Sequence, residues 1–368
     1  GSSVVISLVA FLFVLTIVVF FHELGHFLVA RWCGVRVETF SVGFGRELFG
    51  FTDRHNTRWK FGWVPLGGYV KFLGDENAAS VPDRTDTEAL NDPESFHGKS
   101  VGRRAAIVAA GPIANFILAI VIYTLLFATF GKPITLPVVD KVQPESAAEI
   151  AGFQPGDLVV SIDGRAIESF SDITRIVEQS ADLELTIVVE RGGAEVVLTA
   201  IPKLREKVGP FGNKARVGLL GVSSSGVPEN TKVQRYDPLT SAWIGVSETY
   251  RVIEATLSYI GGVIAGRQSA DQLGGPIRIA QVSGQAASLG FVVLINLAAV
   301  LSVSIGLINL FPIPMLDGGH LLFFGIEAVR GRPLSESVQD IGFRIGLGLV
   351  LMLMLFATWN DLVQLDVF

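Results

Sequence analysis

Apolar residues run almost without interruption from Val4 to Phe21, and three later stretches repeat the pattern: Ala105 to Phe130, Phe291 to Phe311 and Ile341 to Trp359. Each comes close to or exceeds the ~20 residues a helix needs to cross a bilayer. The spacing predicts four spanning helices, the first continuing to about Ala30 through the segment HELGH. Arg344 interrupts the fourth near its start, where a long side chain can snorkel to the interface. No Lys or Arg precedes the first stretch, and His-Glu follows it in place of a small-residue cleavage site. It therefore reads as a span and not as a removable signal.

The segments between the spans have other textures. Residues 133 to about 204 alternate short β-rich runs (Val138-Val139, Leu158 to Ile162, Leu185 to Val189, Val196 to Ala200) with the turn signals QPGD, IDGR and RGGA. Ser146 to Ala151 and Ser171 to Ser180 read as one short and one longer helix. The stretch SAAEIAGFQPGDLVVSIDG, 146 to 164, resembles the circularly permuted PDZ domains of bacterial periplasmic proteases. The resemblance implies either peptide capture at a sheet edge or a steric plug. Residues 57 to 72, TRWKFGWVPLGGYVKF, read as an aromatic-rich β-hairpin turning at Pro-Leu-Gly-Gly and suited to a membrane interface. Residues 241 to 266 carry a helical apolar stripe that can lie on the membrane surface or pack against the spans. Four regions result: 4–130, a membrane core with two helices and the hairpin; 133–204, the α+β PDZ-like insert; 205–290, an interfacial linker; and 291–368, the last two spans. The fold class expected is a polytopic α-helical membrane protein with four transmembrane helices, a membrane-associated β-hairpin and an inserted PDZ domain.

Composition agrees with the patterning. Of 368 residues, 49% are hydrophobic and 17% charged, against about 25% charged in soluble domains; the mean hydropathy is +0.50. A net charge of −6 argues against a nucleic-acid partner. Cys33 is the single cysteine, so no intrachain disulfide framework exists. Arg31 and Arg36 follow the first span, Arg103 and Arg104 precede the second, and Arg330 and Arg332 lie between the third and fourth. The positive-inside rule places those flanks in the cytoplasm and residues 131–290 on the outer side.

The chemistry concentrates in HELGH. His22 and His26 are four apart, so on a helix both imidazoles share one face and can reach one ion. Glu23 beside them can take a proton from an attacking water. This is the H-E-x-x-H arrangement of zinc hydrolases. Ionisable residues inside a span are rare and functional, so two polar side chains merely satisfied in a helix bundle is the weaker explanation. A catalytic zinc ion needs a third protein ligand. Asp317 in NLFPIPMLDGGH is the best candidate, directly after the third span and at the depth expected for His22; His320 is its rival.

HELGH, GPIAN (111–115) and NLFPIPMLDGG occur in the order found in site-2 proteases, the intramembrane zinc metalloproteases. VPLGGYVKF and LGGPIRIA extend the match. The chain resembles that family, in its bacterial regulator-of-sigma-E protease group, over nearly its whole length. The resemblance implies one zinc ion held by His22, His26 and Asp317, with Glu23 as catalytic acid/base. It implies substrate contacts from Asn115, Asn309 and the hairpin residues Pro65, Leu66, Gly67, Gly68, Tyr69 and Val70. Physically, an edge strand such as 66–72 offers an unwound peptide replacement hydrogen bonds, whereas Asn115 and Asn309 can equally serve as interhelical links or kink caps. Only one PDZ-like domain is legible, as in shorter members of the group. The family implies a multi-pass protein of the bacterial inner membrane, with the PDZ domain periplasmic and the active site near the cytoplasmic side. Its expected partners are the lipid bilayer and single-span substrates such as anti-sigma factors or signal-peptide remnants, and a monomer is the working expectation. The competing reading is a non-catalytic receptor that binds peptides through the PDZ domain.

Overall fold

The computed structural model of the chain describes residues 2–75, 82, 87–208, 214–225, 228–266, 270 and 273–364. In chain order it contains α1 (Ser2–Trp32), β1 (Val37–Thr52), β2 (Arg58–Phe72), α2 (Thr87–Asn91) and α3 (Val101–Thr129). There follow β3 (Lys132–Thr135), β4 (Lys141–Val142), α4 (Ala147–Ala151), β5 (Leu158–Ile162), β6 (Arg165–Ala166), α5 (Phe170–Gln179), β7 (Leu185–Arg191) and β8 (Ala194–Ala200). Next are β9 (Lys203–Val208), β10 (Lys214–Leu219), β11 (Val222–Ser223) and β12 (Thr231–Gln234). The chain closes with α6 (Pro238–Ile264), α7 (Pro276–Leu289), α8 (Phe291–Asn309), α9 (Asp317–Arg330) and α10 (Glu336–Gln364). Two compact units emerge: Gly1–Leu125 with Ser241–Thr256 and Ala270–Phe368, and Leu126–Thr240 with Leu257–Ser269.

In the first unit α1, α3, α8 and α10 are long and apolar enough to cross a membrane. The protein is a helical membrane protein with β elements. Two apolar clusters hold the unit together. Ala10, Val14 and Val18 of α1 pack with Ala286, Leu294 and Ala298 of α7 and α8. Phe27, Phe40, Val70, Phe96, Ile107 and Phe324 join α1, the sheet, α3 and α9. The Gly-rich stretch before the third span, which carries no assignment in the sequence, is the helix α7. Its small residues permit close approach to α1: a Cβ on Gly284 would lie 1.9 Å from Ser7 Oγ. Residues 241–266 lie almost wholly in α6, which packs against α3; a Cβ on Gly245 would meet Thr124 Oγ1 at 2.8 Å and Ile120 O at 2.9 Å.

The hairpin differs from expectation. Pro-Leu-Gly-Gly is not its turn but lies within β2. The turn is at residues 53–57, where Asp53 Oδ1 accepts from the backbone N–H groups of His55 at 2.8 Å and Thr57 at 3.1 Å, and Asn56 adopts φ 60°. An aspartate bonding its own downstream backbone, followed by an asparagine that tolerates left-handed φ, is a local turn signal. Both strands also fold over on themselves. β1 bends at Gly43 and Gly45, with φ 88° and 81°, so that Phe40 pairs with Val70 on one side and with Trp59 on the other. Residues 68–72 therefore form an outer edge that pairs only with 37–42 among the described residues. The opposite limb exposes Leu48, Phe49, Phe51 and Trp63.

The second unit holds a four-stranded antiparallel sheet in the order β6-β5-β7-β8, packed with α4 and α5 around Val139, Phe153, Val159, Ile162, Ile187 and Val189. Leu220 belongs to the same core, and Val222 of β11 pairs with Val142 of β4. The folded body thus reaches past residue 204. Ser146 caps α4, its side chain accepting from Glu149 N, and Gly152 closes it at φ 90°. β3 and β12 pair antiparallel, with Thr135 opposite Thr231, so the two chain ends of the insert leave it as a two-stranded stem.

Candidate active site

α1 places His22 and His26 one turn apart on one face, both buried, with their Nε2 atoms 3.2 Å apart. Asp317 comes from the far end of the chain. α8 ends at Asn309, and a loop containing Pro312 and Pro314 turns back into α9, whose first residue is Asp317. Met315 in this loop is held at φ 86°, a strained value for a side chain without glycine's freedom. Gly318 and Gly319 let α9 begin directly on the loop backbone: a Cβ on either would lie 2.2–2.3 Å from the carbonyl oxygens of Leu310, Phe311 or Ile313. The result sets Asp317 Oδ2 at 3.1 Å from His22 Nε2 and 3.5 Å from His26 Nε2. Burial alone would raise the Asp317 carboxyl; the adjacent imidazoles outweigh it and hold the group below the usual carboxylate range.

Three observations fit this triangle to a zinc ion. Its edges of 3.1, 3.2 and 3.5 Å straddle the edge of about 3.3 Å for a tetrahedron with metal–ligand distances of roughly 2.0–2.1 Å. Asp317 Oδ2 is buried without a hydrogen bond of acceptable geometry, although both histidine nitrogens are near: the arrangement converges on a point between the atoms rather than along donor axes. Gly111 of α3 leaves that side open, since a Cβ there would lie 2.3 Å from His26 Nε2 and 2.9 Å from His22 Nε2. The far side of His26 is fixed as a metal ligand requires, with Nδ1 2.9 Å from the Ile107 carbonyl.

A cavity of about 180 Å³ opens on the triangle, lined by His22, Glu23 and His26, by Gly68, Tyr69, Val70 and Phe72 of β2, and by Val108, Asn309, Met315, Asp317 and His320. Glu23 reaches the edge strand: a Cβ on Gly68 would lie 3.3 Å from its Cγ. Pro112 has no N–H, which leaves the Val108 carbonyl without its helical partner at the cavity wall.

A family model described as peptidase family M50 matches residues 10–353. The chain belongs to peptidase family M50. Its resemblance to the site-2 proteases is thereby borne out, and it is a peptidase. A Rhizobium meliloti protein named as a zinc metalloprotease is 53% identical over 355 residues, covering 96% of this chain and 95% of its own. Metalloprotease MmpA of Caulobacter vibrioides is 42% identical, covering 99% and 97%. The regulator of sigma-E protease RseP of Escherichia coli is 33% identical over 456 aligned positions, covering 98% and 99%.

In this candidate site, the residues expected from the sequence fall in three places. His22, His26 and Asp317 converge, and they are the group of His, Cys, Asp and Glu able to hold a metal among the described residues. His320, the rival ligand, lies on the cavity wall with its ring 5.5 Å from that of Phe343. Glu23, Gly68, Tyr69, Val70 and Asn309 share the cavity, and Asn309 Nδ2 donates to Ile305 O of its own helix at 2.9 Å. Pro65, Leu66 and Gly67 lie outside its lining, as does Asn115, which is fully buried with Nδ2 3.1 Å from His22 Nδ1. Gly111, Val108 and Met315 border the site without having been assigned to it from the sequence, and Phe72 was expected there only as part of the edge strand 66–72. Pro112 beside an apolar helix face was the available signal for Val108; the role of Gly111 depends on which face of α3 meets α1.

Proposed function

We propose that this M50 peptidase is an intramembrane zinc metalloendopeptidase that cuts single-span membrane proteins. The observation that carries the reading is the His22–His26–Asp317 triangle opening into one cavity with Glu23 and the edge strand 68–72. Bound there, zinc supplies Lewis-acid polarisation of the scissile carbonyl and brings the pKa of water to about 7. Glu23 takes the proton of the attacking water and passes it to the leaving amine. A spanning helix hides its peptide bonds, so the substrate is unwound and held as an added strand on residues 68–72, with Asn309 at hand for its backbone.

The substrates fitting this chemistry are anti-sigma factors already trimmed outside or signal-peptide remnants, as the name of the RseP relative suggests by analogy. The chain is a multi-pass protein of the inner membrane, with the zinc site toward the cytoplasmic side and the second unit, a PDZ-like domain, on the periplasmic side. That domain acts as a size filter. α5 and β10 come close at one point, where a Cβ on Gly218 would stand 2.2 Å from the Val177 carbonyl oxygen, and beside it they line a cavity of about 300 Å³.

The test is zinc analysis together with Glu23→Gln on the purified chain and a model transmembrane substrate. Zinc content should be unchanged and cleavage should fall by roughly 10²–10⁴-fold. Cleavage at the wild-type rate by the Glu23→Gln protein would refute the mechanism.

A further inference from the structure

We propose that Asn115 is a positioning residue of the metal centre: its side-chain carbonyl accepts the Nδ1–H of His22 and so leaves Nε2 bare toward the ion. The inference rests on the zinc-peptidase reading and adds a role for a residue otherwise expected to touch substrate.

A neutral imidazole ligates through one nitrogen only when the other carries the proton, and that proton needs an acceptor. His26 has one in the Ile107 carbonyl, at 2.9 Å from Nδ1. His22 Nδ1 has Asn115, at 3.1 Å. Ile107, Gly111 and Asn115 recur every four residues, so one face of α3 serves both histidines: an acceptor for each, and between them a glycine that makes room for the ion.

The amide's two ends have the same shape and differ only in which carries hydrogen. With Nδ2 toward His22, Nδ1 would have to accept, the proton would sit on Nε2 facing Asp317, and that nitrogen could not ligate. In the same orientation Asn115 Oδ1 is buried without a partner. The idle acceptor is the one His22 needs, and turning the amide about its own axis supplies it. The residue is fixed for this task. Its side chain is fully buried, outside the cavity lining, and its backbone carbonyl accepts from Ser302 Oγ of α8 at 2.8 Å. Gly306 of α8 lies so close that a Cβ there would be 3.0 Å from Asn115 Cβ.

The test is zinc affinity, measured by chelator competition on the full chain. Asn115→Ala should bind zinc about 10–100-fold more weakly. Asn115→Asp, which keeps an acceptor, should stay within a few-fold of wild type. An Ala variant as tight as wild type, or an Asp variant as weak as Ala, overturns the assignment. A wild-type chain that binds no zinc overturns the metallopeptidase reading as well, so the two failures are distinguishable. Independently of any variant, ¹⁵N-histidine spectra of the zinc-loaded wild type should show His22 protonated at Nδ1 and bound through Nε2; ligation through Nδ1 overturns the proposal.

Discussion

At the scale of single residues, the centre depends on an absent side chain as much as on those present. Gly111 has no Cβ, and one would lie 2.3 Å from His26 Nε2 and 2.9 Å from His22 Nε2. Gly111→Ala should cut zinc affinity at least tenfold, the lower end of what disturbing a ligand's surroundings costs, while the chain still inserts in membranes; metal analysis after detergent purification checks it. The histidines and Glu23 were legible in the sequence because helical periodicity alone puts His22 and His26 on one face. Asp317 was legible because carboxylates beside a span are rare, although spacing alone left His320 open. Gly111 and the placement of Asn115 were not legible. Both depend on which face of α3 meets α1, and no local pattern encodes that.

Elements tell a similar story. The four spans follow from hydrophobic runs, and β5, β7 and β8 contain three of the four stretches expected as strands, while Val138-Val139 contributes only an isolated bridge from Val138 to Leu158. The hairpin turn was misplaced because Pro-Leu-Gly-Gly is a turn signal, yet the fold uses those residues to bend a strand toward the cavity. α7 was unassigned because Gly284, a residue that weakens a helix alone, allows it to pack against α1. One turn signal, QPGD, has an energetic role. Asp157 is fully buried, accepting from Arg191 Nε and Nη2 at 2.8 Å and from Gln154 N at 2.8 Å. Burial alone would raise its carboxyl, but Arg191 and the backbone donor outweigh this and hold it below the usual range. Its folded value therefore lies below an unfolded value of about 3.9. The stabilisation is present above that pH and is lost as pH falls through the folded value. Asp157→Asn should lower the stability of the insert at neutral pH by roughly 1–3 kcal/mol and flatten its dependence on acid. Hydrogen exchange of β5 and β7 amides, corrected for intrinsic rates, measures both.

For the whole molecule, the β3–β12 stem decides what can be removed. Replacing residues 136–230 by an Asn-Gly turn would close β3 and β12 as a hairpin, because Thr135 and Thr231 already face each other. The shortened chain should keep its zinc content and cleave a model substrate carrying a bulky outer domain that the full chain leaves intact. An unchanged size limit would remove the filter role while leaving the peptidase in place. The stem also bears on descent. A coding segment whose product begins and ends at one point can be gained, doubled or exchanged in frame without redrawing the protein that hosts it. The alignment with RseP runs over 456 positions against 368 residues here, and that excess is of the size one small domain would add.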